Sequence, residues 1–196
     1  QVYMGEGSPF LNLENVKIAI ENSKNKDGLE YGRTRITVST VGVGIKKDNI
    51  DAIEWAAKEL DVYLAWSLHS SIPKHRSELM PINDKYSINS LIPQLKKYYD
   101  KTKLPIFIEW ICLDENLTDD HAKELIKIMR KVPSKLNLIE FNPLSNKDFK
   151  AASQENIDRF SSTIQEAGFL SLFRRSRGRD INASCGSLAN KKALNN

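Results

Sequence analysis

The stretch LPIFIEWICL, residues 104–113, is among the longest apolar runs in this chain of 196 residues. It has the length of a β-strand and falls well short of the roughly 20 apolar residues that a membrane-spanning helix needs. Its β-branched and aromatic residues are the types that favour strands. We therefore predict a strand here, and the segments on either side decide which kind of sheet it joins.

Five further β-rich runs lie before and after this stretch, and segments with helical periodicity separate them. Strict alternation of strands and helices predicts right-handed βαβ units, because parallel neighbours need a crossover connection. The sequence therefore predicts an α/β protein with about six parallel strands and five helices. The predicted strands are residues 2–5, 35–40, 61–68, 104–113, 135–141 and 170–174.

Three of the predicted helices follow a polar residue that is placed to cap the first turn. The segment 119–130 follows Thr118, a second helix follows Ser153, and the segment 49–60 follows Asp48. Oxygen atoms of Thr, Ser and Asp side chains accept hydrogen bonds from the free N–H groups of a first turn. We therefore expect all three residues to act as caps.

The length and apolar content of the chain suit one domain with one core. Its two cysteines, Cys112 and Cys185, are too few for a disulfide framework, which indicates a reducing compartment, either the cytoplasm or an organellar matrix. Cys112 lies inside the apolar run and is predicted to be part of the core. No apolar run is long enough for a membrane helix, so we expect no membrane partner.

Positive charge is concentrated at the C-terminal end. Residues 168–196 hold six basic residues against one acidic residue, a net charge of +5, whereas the whole chain has +4. Such a region suits a polyanion, most often nucleic acid, although many basic runs are only solvated surface. We divide the chain into a domain over residues 1–174 and a basic tail over 175–196. The arginines of this region are Arg174, Arg175, Arg177 and Arg179.

Polar motifs follow the predicted strands where each strand ends. GEGSP follows the first strand, STVG the second, SLHS the third and FNP the fifth. In parallel α/β folds, ligands bind where loops converge at the carboxyl ends of the strands. Taken singly, each motif also fits a turn, a capped loop or a structural histidine. The glycines of GEGSP lack the spacing of a dinucleotide or phosphate loop, which argues against a nicotinamide site.

Seven segments carry a resemblance that runs in order over nearly the whole chain. Together they resemble the RlmN/Cfr family of radical S-adenosylmethionine (SAM) enzymes, which methylate adenosine carbons in large-subunit ribosomal RNA and, in the RlmN branch, in transfer RNA. The match is specific because SLH, PIN-KY and RG-DI-A-CG-LA occur at the family's spacing. The segments are VYMGEGSPFLNLENV (2–16), RITVSTVGV (35–43), LAWSLHS (64–70), MPINDKYSI (80–88), LNLIEFNP (136–143), NIDRF (156–160) and RSRGRDINASCGSLA (175–189).

The resemblance implies a partial (β/α) barrel of radical SAM type, without its first strand, that holds SAM at the strand ends. Glu109, in the stretch quoted first, is a candidate polar residue inside this barrel. The implied SAM-binding residues are Gly7 and Ser8 at the amino group, Ser39 near the carboxylate, Ser67, Leu68 and His69 along the ligand, and Asn142 near the adenine.

The resemblance also implies a catalytic role for Cys185. In the family, the matching cysteine is methylated by one SAM, and a 5′-deoxyadenosyl radical made from a second SAM removes a hydrogen atom from that methyl group. The resulting carbon radical attacks the adenine. Nearby arginines would favour the thiolate that accepts the methyl group and would attract RNA phosphates.

Two departures from the family pattern limit what this chain is expected to do. The CxxxCxxC motif, which supplies three thiolates to a [4Fe–4S] cluster, is absent from the sequence, and without the cluster SAM cannot be cleaved reductively. The family has Gly-x-Gly-Glu-Pro at the first strand end, where this chain has GEGSP. Ser8 thus replaces a carboxylate that would meet the SAM ammonium group.

Two functions therefore remain open. The chain is either the C-terminal part of a methyltransferase, inactive when isolated from its cluster-binding half, or a degenerate relative that serves as a structural RNA-binding or ribosome-associated protein. The retained Cys185, His69 and Asn142 favour the first, and the serine at position 8 favours the second. The expected partner is ribosomal or transfer RNA, together with a ribosome or a separate N-terminal half. An unrelated barrel enzyme for a phosphorylated metabolite would require the motif agreement to be accidental.

Overall fold

The computed structural model describes residues 1–5, 7–42, 46–47, 50–142 and 149–175. Six of its strands form one parallel sheet in chain order, and two short strands form a separate antiparallel pair. The strands are β1 (Val2–Tyr3), β2 (Thr37–Thr40), β3 (Lys46–Lys47), β4 (Ile50–Asp51), β5 (Tyr63–Ser67), β6 (Ile106–Cys112), β7 (Ser134–Glu140) and β8 (Ser171–Arg174). The order in the large sheet is β1-β2-β5-β6-β7-β8, which confirms the predicted set of six parallel strands.

Six α-helices occupy the crossovers between these strands in the part of the chain that the structure describes. The crossover from β5 to β6 contains two helices, which a turn of 3₁₀ helix over Pro81–Asp84 separates. The sequence predicts one helix per crossover, and the division falls at Pro81, whose missing N–H cannot continue a helix. The helices are α1 (Leu13–Lys24), α2 (Ala52–Glu59), α3 (Pro73–Leu79), α4 (Ile88–Thr102), α5 (Asp119–Lys131) and α6 (Gln154–Glu166).

Two of the three predicted helix caps are confirmed. The Thr118 side chain accepts a hydrogen bond from the His121 amide, and the Ser153 side chain accepts one from the Asn156 amide. The predicted cap Asp48 lies outside the described residues. The helix predicted over residues 49–60 is α2, and it begins later than predicted, at Ala52. Its cap is Asp51, whose Oδ1 accepts a hydrogen bond from the Ile53 amide at 2.9 Å.

The two faces of the large sheet differ in what covers them. Alternate residues such as Leu64, Ile108 and Leu138 pack with helix residues into one hydrophobic core. The remaining strand residues point to the opposite face. No helix of the described chain covers that second face, which we call the helix-free face. Cys112 is 1% exposed within the core, which confirms the prediction for this residue.

The sheet is open, with β1 at one edge and β8 at the other. Within the described residues, β1 pairs only with β2, through Val2 opposite Thr37 and Tyr3 opposite Val38. The open sheet matches the expectation of a partial barrel. None of the described helices combines the length and the apolar character that crossing a membrane requires.

Candidate ligand site at the strand ends

Polar side chains from four neighbouring strands lie on the helix-free face, at the carboxyl ends of β2 and β5 and midway along β6 and β7. Ser39 is opposite Ala65 in the pairing of β2 with β5, and Ser67 is opposite Glu109 in the pairing of β5 with β6. Glu109 is in turn opposite Asn137 of β7. Because facing residues of a sheet project to the same side, the side chains of Ser67, Glu109 and Asn137 form one row. Ser39 lies on the same face but two residues earlier along the strands, level with Ala65 and Phe107.

The first strand end brings Gly7 and Ser8 beside this region. Gly7 has a φ of +79° with open space around the position of a Cβ, so its backbone conformation rather than crowding favours glycine. The Ser8 carbonyl accepts a hydrogen bond from the Leu11 amide at 2.9 Å. The Ser8 hydroxyl oxygen is buried and has no hydrogen-bond partner among the described residues. A buried hydroxyl without a partner is unfavourable unless a ligand or water binds it.

Leu68 contributes to this site through its backbone. Its side chain is fully buried in the core, and its amide donates to the Glu109 carbonyl at 3.1 Å. The Leu68 carbonyl accepts from Nε of Arg76 at 3.1 Å. Leu68 therefore fixes the course of the SLH segment, and its side chain is directed away from the helix-free face.

The imidazole of His69 is held in one orientation and one tautomer. Its backbone has a φ of +57°, in the left-handed region that few non-glycine residues adopt. Nδ1 accepts a hydrogen bond from the Ile111 amide at 3.1 Å, so the proton of the neutral ring is on Nε2. Desolvation and the nearby Arg76 charge lower the pKa of His69 to about 4. At neutral pH the ring is thus uncharged, and its Nε2–H has no partner among the described residues.

Arg76 organises the ends of two strands, and no motif in the sequence pointed to it. The side chain is fully buried and donates to the carbonyls of Val41 (3.0 Å), Ser67 (3.3 Å) and Leu68, and to the carboxamide of Asn83. All these acceptors are neutral, and burial lowers the pKa of Arg76 to about 10. Because these carbonyls follow β2 and lie at the end of β5, the guanidinium fixes the spacing of two proposed ligand-binding segments.

Asn116 has a similar role on the other side of His69. It is fully buried, and its Nδ2 donates to the carbonyls of His69 and Ile111, each at 2.8 Å. Its Oδ1 accepts from the Leu113 amide at 3.0 Å. Asn116 therefore ties the SLH segment to the end of β6. Sequence reasoning missed it because a single asparagine in a turn carries no distinctive pattern.

Glu109 and Asn137 form a polar contact on the helix-free face. Nδ2 of Asn137 lies 3.1 Å from Oε1 and 3.3 Å from Oε2 of Glu109, which is only 3% exposed. Burial raises the pKa of Glu109, whereas the Asn137 hydrogen bond and the Arg174 charge oppose this rise. The expectation that Glu109 is a polar residue on the inner face is confirmed for its placement. Asn137 was not predicted.

The remaining predicted site residues lie near this row or outside the described chain. Asn142 is half-buried in the loop that follows β7. Arg174, the last residue of β8, and Arg175 are both exposed. Arg177, Arg179 and Cys185 lie outside the described residues, so their roles and the boundary of the basic tail stay predictions.

Comparison with known proteins gives two close matches and one remote match. The chain is 37% identical over 191 residues to the dual-specificity RNA methyltransferase RlmN of Buchnera aphidicola subsp. Cinara cedri, covering 95% of this chain and 52% of the relative. A crystal structure of a radical SAM methyltransferase from Sphaerobacter thermophilus superposes with a TM-score of 0.86 at 34% identity, covering 95% of this chain and 53% of that one. No protein-family model matches the chain.

A domain of pyruvate-formate lyase-activating enzyme from Bacteroides vulgatus shares the fold alone, with a TM-score of 0.64 at 12% identity over 89% of this chain and 98% of the domain. The open parallel sheet and the match at 34% identity to the Sphaerobacter structure assign the chain to the radical SAM class. Within that class the chain belongs to the RlmN/Cfr family and corresponds to its C-terminal part. It spans about half the length of the relatives that it matches.

The family uses SAM and a [4Fe–4S] cluster, and the described residues fit only the first of these. The Ser8 hydroxyl and the Nε2–H of His69, for which the described residues supply no hydrogen-bond partner, are suitable polar groups for SAM. By contrast, the described residues contain no group of three side chains that could hold a metal. Cys112 is buried, and burial raises the pKa of its thiol to about 12, so it does not fit a cluster ligand.

Proposed function

We propose that this chain binds SAM across the carboxyl ends of its strands and takes part in methyl transfer to an adenosine carbon of ribosomal or transfer RNA. The main support is that the Ser39 and Ser67 positions and the oriented ring of His69 lie at adjacent strand ends. That edge is where parallel α/β sheets bind ligands. The RlmN relative, an RNA methyltransferase, supports the choice of substrate class.

Each residue has a defined part in this proposal. SAM, when bound, would supply the transferred methyl group. His69 donates a hydrogen bond from Nε2 and stays neutral, so it does not repel the positively charged ligand. Arg76 and Asn116 keep the binding segments in place. The groups proposed to bind SAM directly are Gly7 and Ser8 at the amino group, Ser39 near the carboxylate, Ser67 and His69 along the ligand, with Leu68 setting their backbone, and Asn142 near the adenine.

Arg174 and the basic tail are proposed to act on the RNA side of the reaction. Cys185 would accept a methyl group as a thiolate and present it to the adenine, and the four arginines would bind phosphates. Since the sequence contains no CxxxCxxC motif, we propose that this chain reacts only together with a polypeptide that supplies the cluster. A reducing compartment, the cytoplasm or an organellar matrix, suits both thiols.

One observation favours a second function. Ser8 occupies the position of the family's glutamate, and a hydroxyl binds an ammonium group more weakly than a carboxylate does. If SAM binding has decayed, the chain would serve instead as a structural RNA-binding protein, for example on a ribosome.

Methylation of Cys185 distinguishes the two functions. The chain is mixed with the cluster-binding half of an RlmN relative, a reductant and SAM, and Cys185 is then analysed by mass spectrometry for the addition of one methyl group. The Cys185→Ala variant is the control for the site of modification. Methylated Cys185 supports the enzyme, whereas unmodified Cys185 with retained RNA binding supports the structural protein.

A further inference from the structure

We propose that Glu109 binds the ribose hydroxyls of the nucleoside ligand, a subsite that no motif in the sequence assigns. The inference rests on the proposed function only for the positions of the two ends of SAM. Its chemistry comes from the side chains on the helix-free face.

The order of the strands locates the ribose. The amino acid end of SAM is proposed to lie at β1 and β2, near Ser8 and Ser39, and the adenine end after β7, near Asn142. The sheet order places β5 and β6 between these ends. The distance from β2 to β7 is three strand spacings, about 14 Å. The ribose is the part of SAM that joins its amino acid end to its adenine end. It therefore lies over β5 and β6.

Glu109 is the one carboxylate that these two strands present on the helix-free face. Beside it are Phe107 and Ile111 on β6, which offer no polar group, and Ser67 on β5. A carboxylate commonly accepts hydrogen bonds from ribose hydroxyls in nucleotide-binding folds. Glu109 is level with Ser67, the last residue of β5, and so reaches the same height as the proposed ligand site.

The hydrogen bonding of Glu109 is incomplete without a ligand. Two carboxylate oxygens provide about four acceptor positions, and the described residues supply a single donor group, Nδ2 of Asn137. Glu109 is 3% exposed, and although the charge of Arg174 acts on it, a buried charge is unfavourable when few donors meet it. A vicinal diol brings two O–H donors, which would satisfy the remaining acceptor positions.

The backbone of the same residue supports the site. The Glu109 carbonyl accepts hydrogen bonds from the amides of Leu68 (3.1 Å) and His69 (3.3 Å). A shift of the β6 backbone at Glu109 would therefore also move the SLH segment. A test must separate loss of the carboxylate from such a backbone shift. The Glu109→Gln variant does this, because its amide oxygen still accepts from Asn137.

The experiment titrates the protein with 5′-methylthioadenosine and with its 2′-deoxy and 3′-deoxy analogues, by calorimetry and by NMR of the Asn137 side-chain amide. We expect the unmodified protein to bind the full nucleoside about tenfold more tightly than either deoxy analogue, because each analogue lacks one of the two donors. Glu109→Gln should lose about tenfold for the full nucleoside and less for each analogue. Glu166→Gln, which removes an exposed carboxylate at the end of α6, should match the parent.

Three outcomes would overturn the inference: no nucleoside binding by the folded protein, equal affinity for all three nucleosides, or an equal loss for all three in Glu109→Gln. Titration with SAM separates this inference from the proposed function. If SAM competes with the nucleoside but has no higher affinity than the nucleoside, the proposed binding of the SAM amino acid group near Ser8 and Ser39 is wrong. The role of Glu109 in binding the ribose hydroxyls is still tested by the affinities of the three nucleosides.

Discussion

Nη1 of Arg76 lies 2.7 Å from Oδ1 of Asn83, and both side chains are buried. Asn83 also donates from Nδ2 to the Pro73 carbonyl at 3.1 Å and to the Ser77 hydroxyl at 2.8 Å. The asparagine of the PIN-KY motif thus anchors the arginine that fixes the end of β5. This contact gives the motif a structural role in positioning the proposed ligand site.

Removing Asn83 should therefore destabilise the protein and weaken ligand binding together. In Asn83→Ala, a buried guanidinium N–H loses its acceptor, which costs about 1–3 kcal/mol of unfolding free energy. Ser77→Ala removes a neighbouring hydrogen bond but leaves the arginine bound, so it should cost less. Urea unfolding measures both, and a change below about 0.5 kcal/mol in Asn83→Ala would contradict this role.

Arg76→Lys tests whether the fork of the guanidinium matters beyond its charge. Lysine keeps the positive charge but cannot reach several carbonyls from one planar group. We expect the folded variant to bind the nucleoside or SAM about tenfold more weakly, with a loss of about 2 kcal/mol in stability. Affinity equal to that of the parent would show that the strand ends keep their spacing without it.

Acid should destabilise the fold between pH 6.5 and 4. Burial lowers the pKa of both His69 and His121 to about 4, with repulsion from Arg76 and His75 adding to the effect. In this range the unfolded chain binds more protons than the folded one, so stability is present above pH 6.5 and is lost as the pH falls.

Each of these two histidines contributes at most roughly 3 kcal/mol to that loss. The His69→Asn variant removes one titrating group. Asparagine tolerates a positive φ, and its side-chain oxygen can replace Nδ1 as the acceptor. Unfolding measured from pH 7 to pH 4 should show a shallower slope for this variant than for the parent. An unchanged slope would mean that His69 does not titrate in the fold.

Restoring a carboxylate at position 8 should strengthen SAM binding. Ser8→Glu introduces one charge-assisted hydrogen bond to the ammonium group, worth roughly 1.5–3 kcal/mol. Calorimetry with SAM and with 5′-methylthioadenosine separates this effect, because the nucleoside lacks the ammonium and should bind both proteins alike. No gain for SAM would show that the loop at Gly7 does not direct this side chain to the ligand.

Arg174 and the arginines of the basic tail should contribute to RNA binding mainly through phosphates. Changing Arg174, Arg175, Arg177 and Arg179 to alanine should weaken binding to all sequences and flatten its salt dependence, by roughly 0.7–0.9 in slope for each phosphate that is no longer neutralised. Cys185→Ala is the matched control and should leave RNA affinity nearly intact. A cysteine variant as weak as the arginine variant would contradict this division of roles.

The fold was predictable from the sequence, whereas the buried residues that position the proposed site were not. Strand-length apolar runs and capped helices carry local signals, so β6 and α5 were predicted to within two residues at each end. Arg76 and Asn116 bind backbone carbonyls on distant segments, and no spacing along the chain encodes such contacts. The start of α2 was missed for a simpler reason. Asp48 and Asp51 are both able to cap a helix, and sequence alone does not rank them.

Every strand of the large sheet lies beside the strand that precedes it in that sheet. During synthesis, each new strand can therefore add to an edge that already exists, and no finished pair has to separate to admit a later one. The binding site of a ligand that bridges β2 and β7 is complete only after most strands of the sheet have formed. SAM or a related nucleoside should therefore slow unfolding of the finished protein while leaving the earliest steps of assembly unaffected.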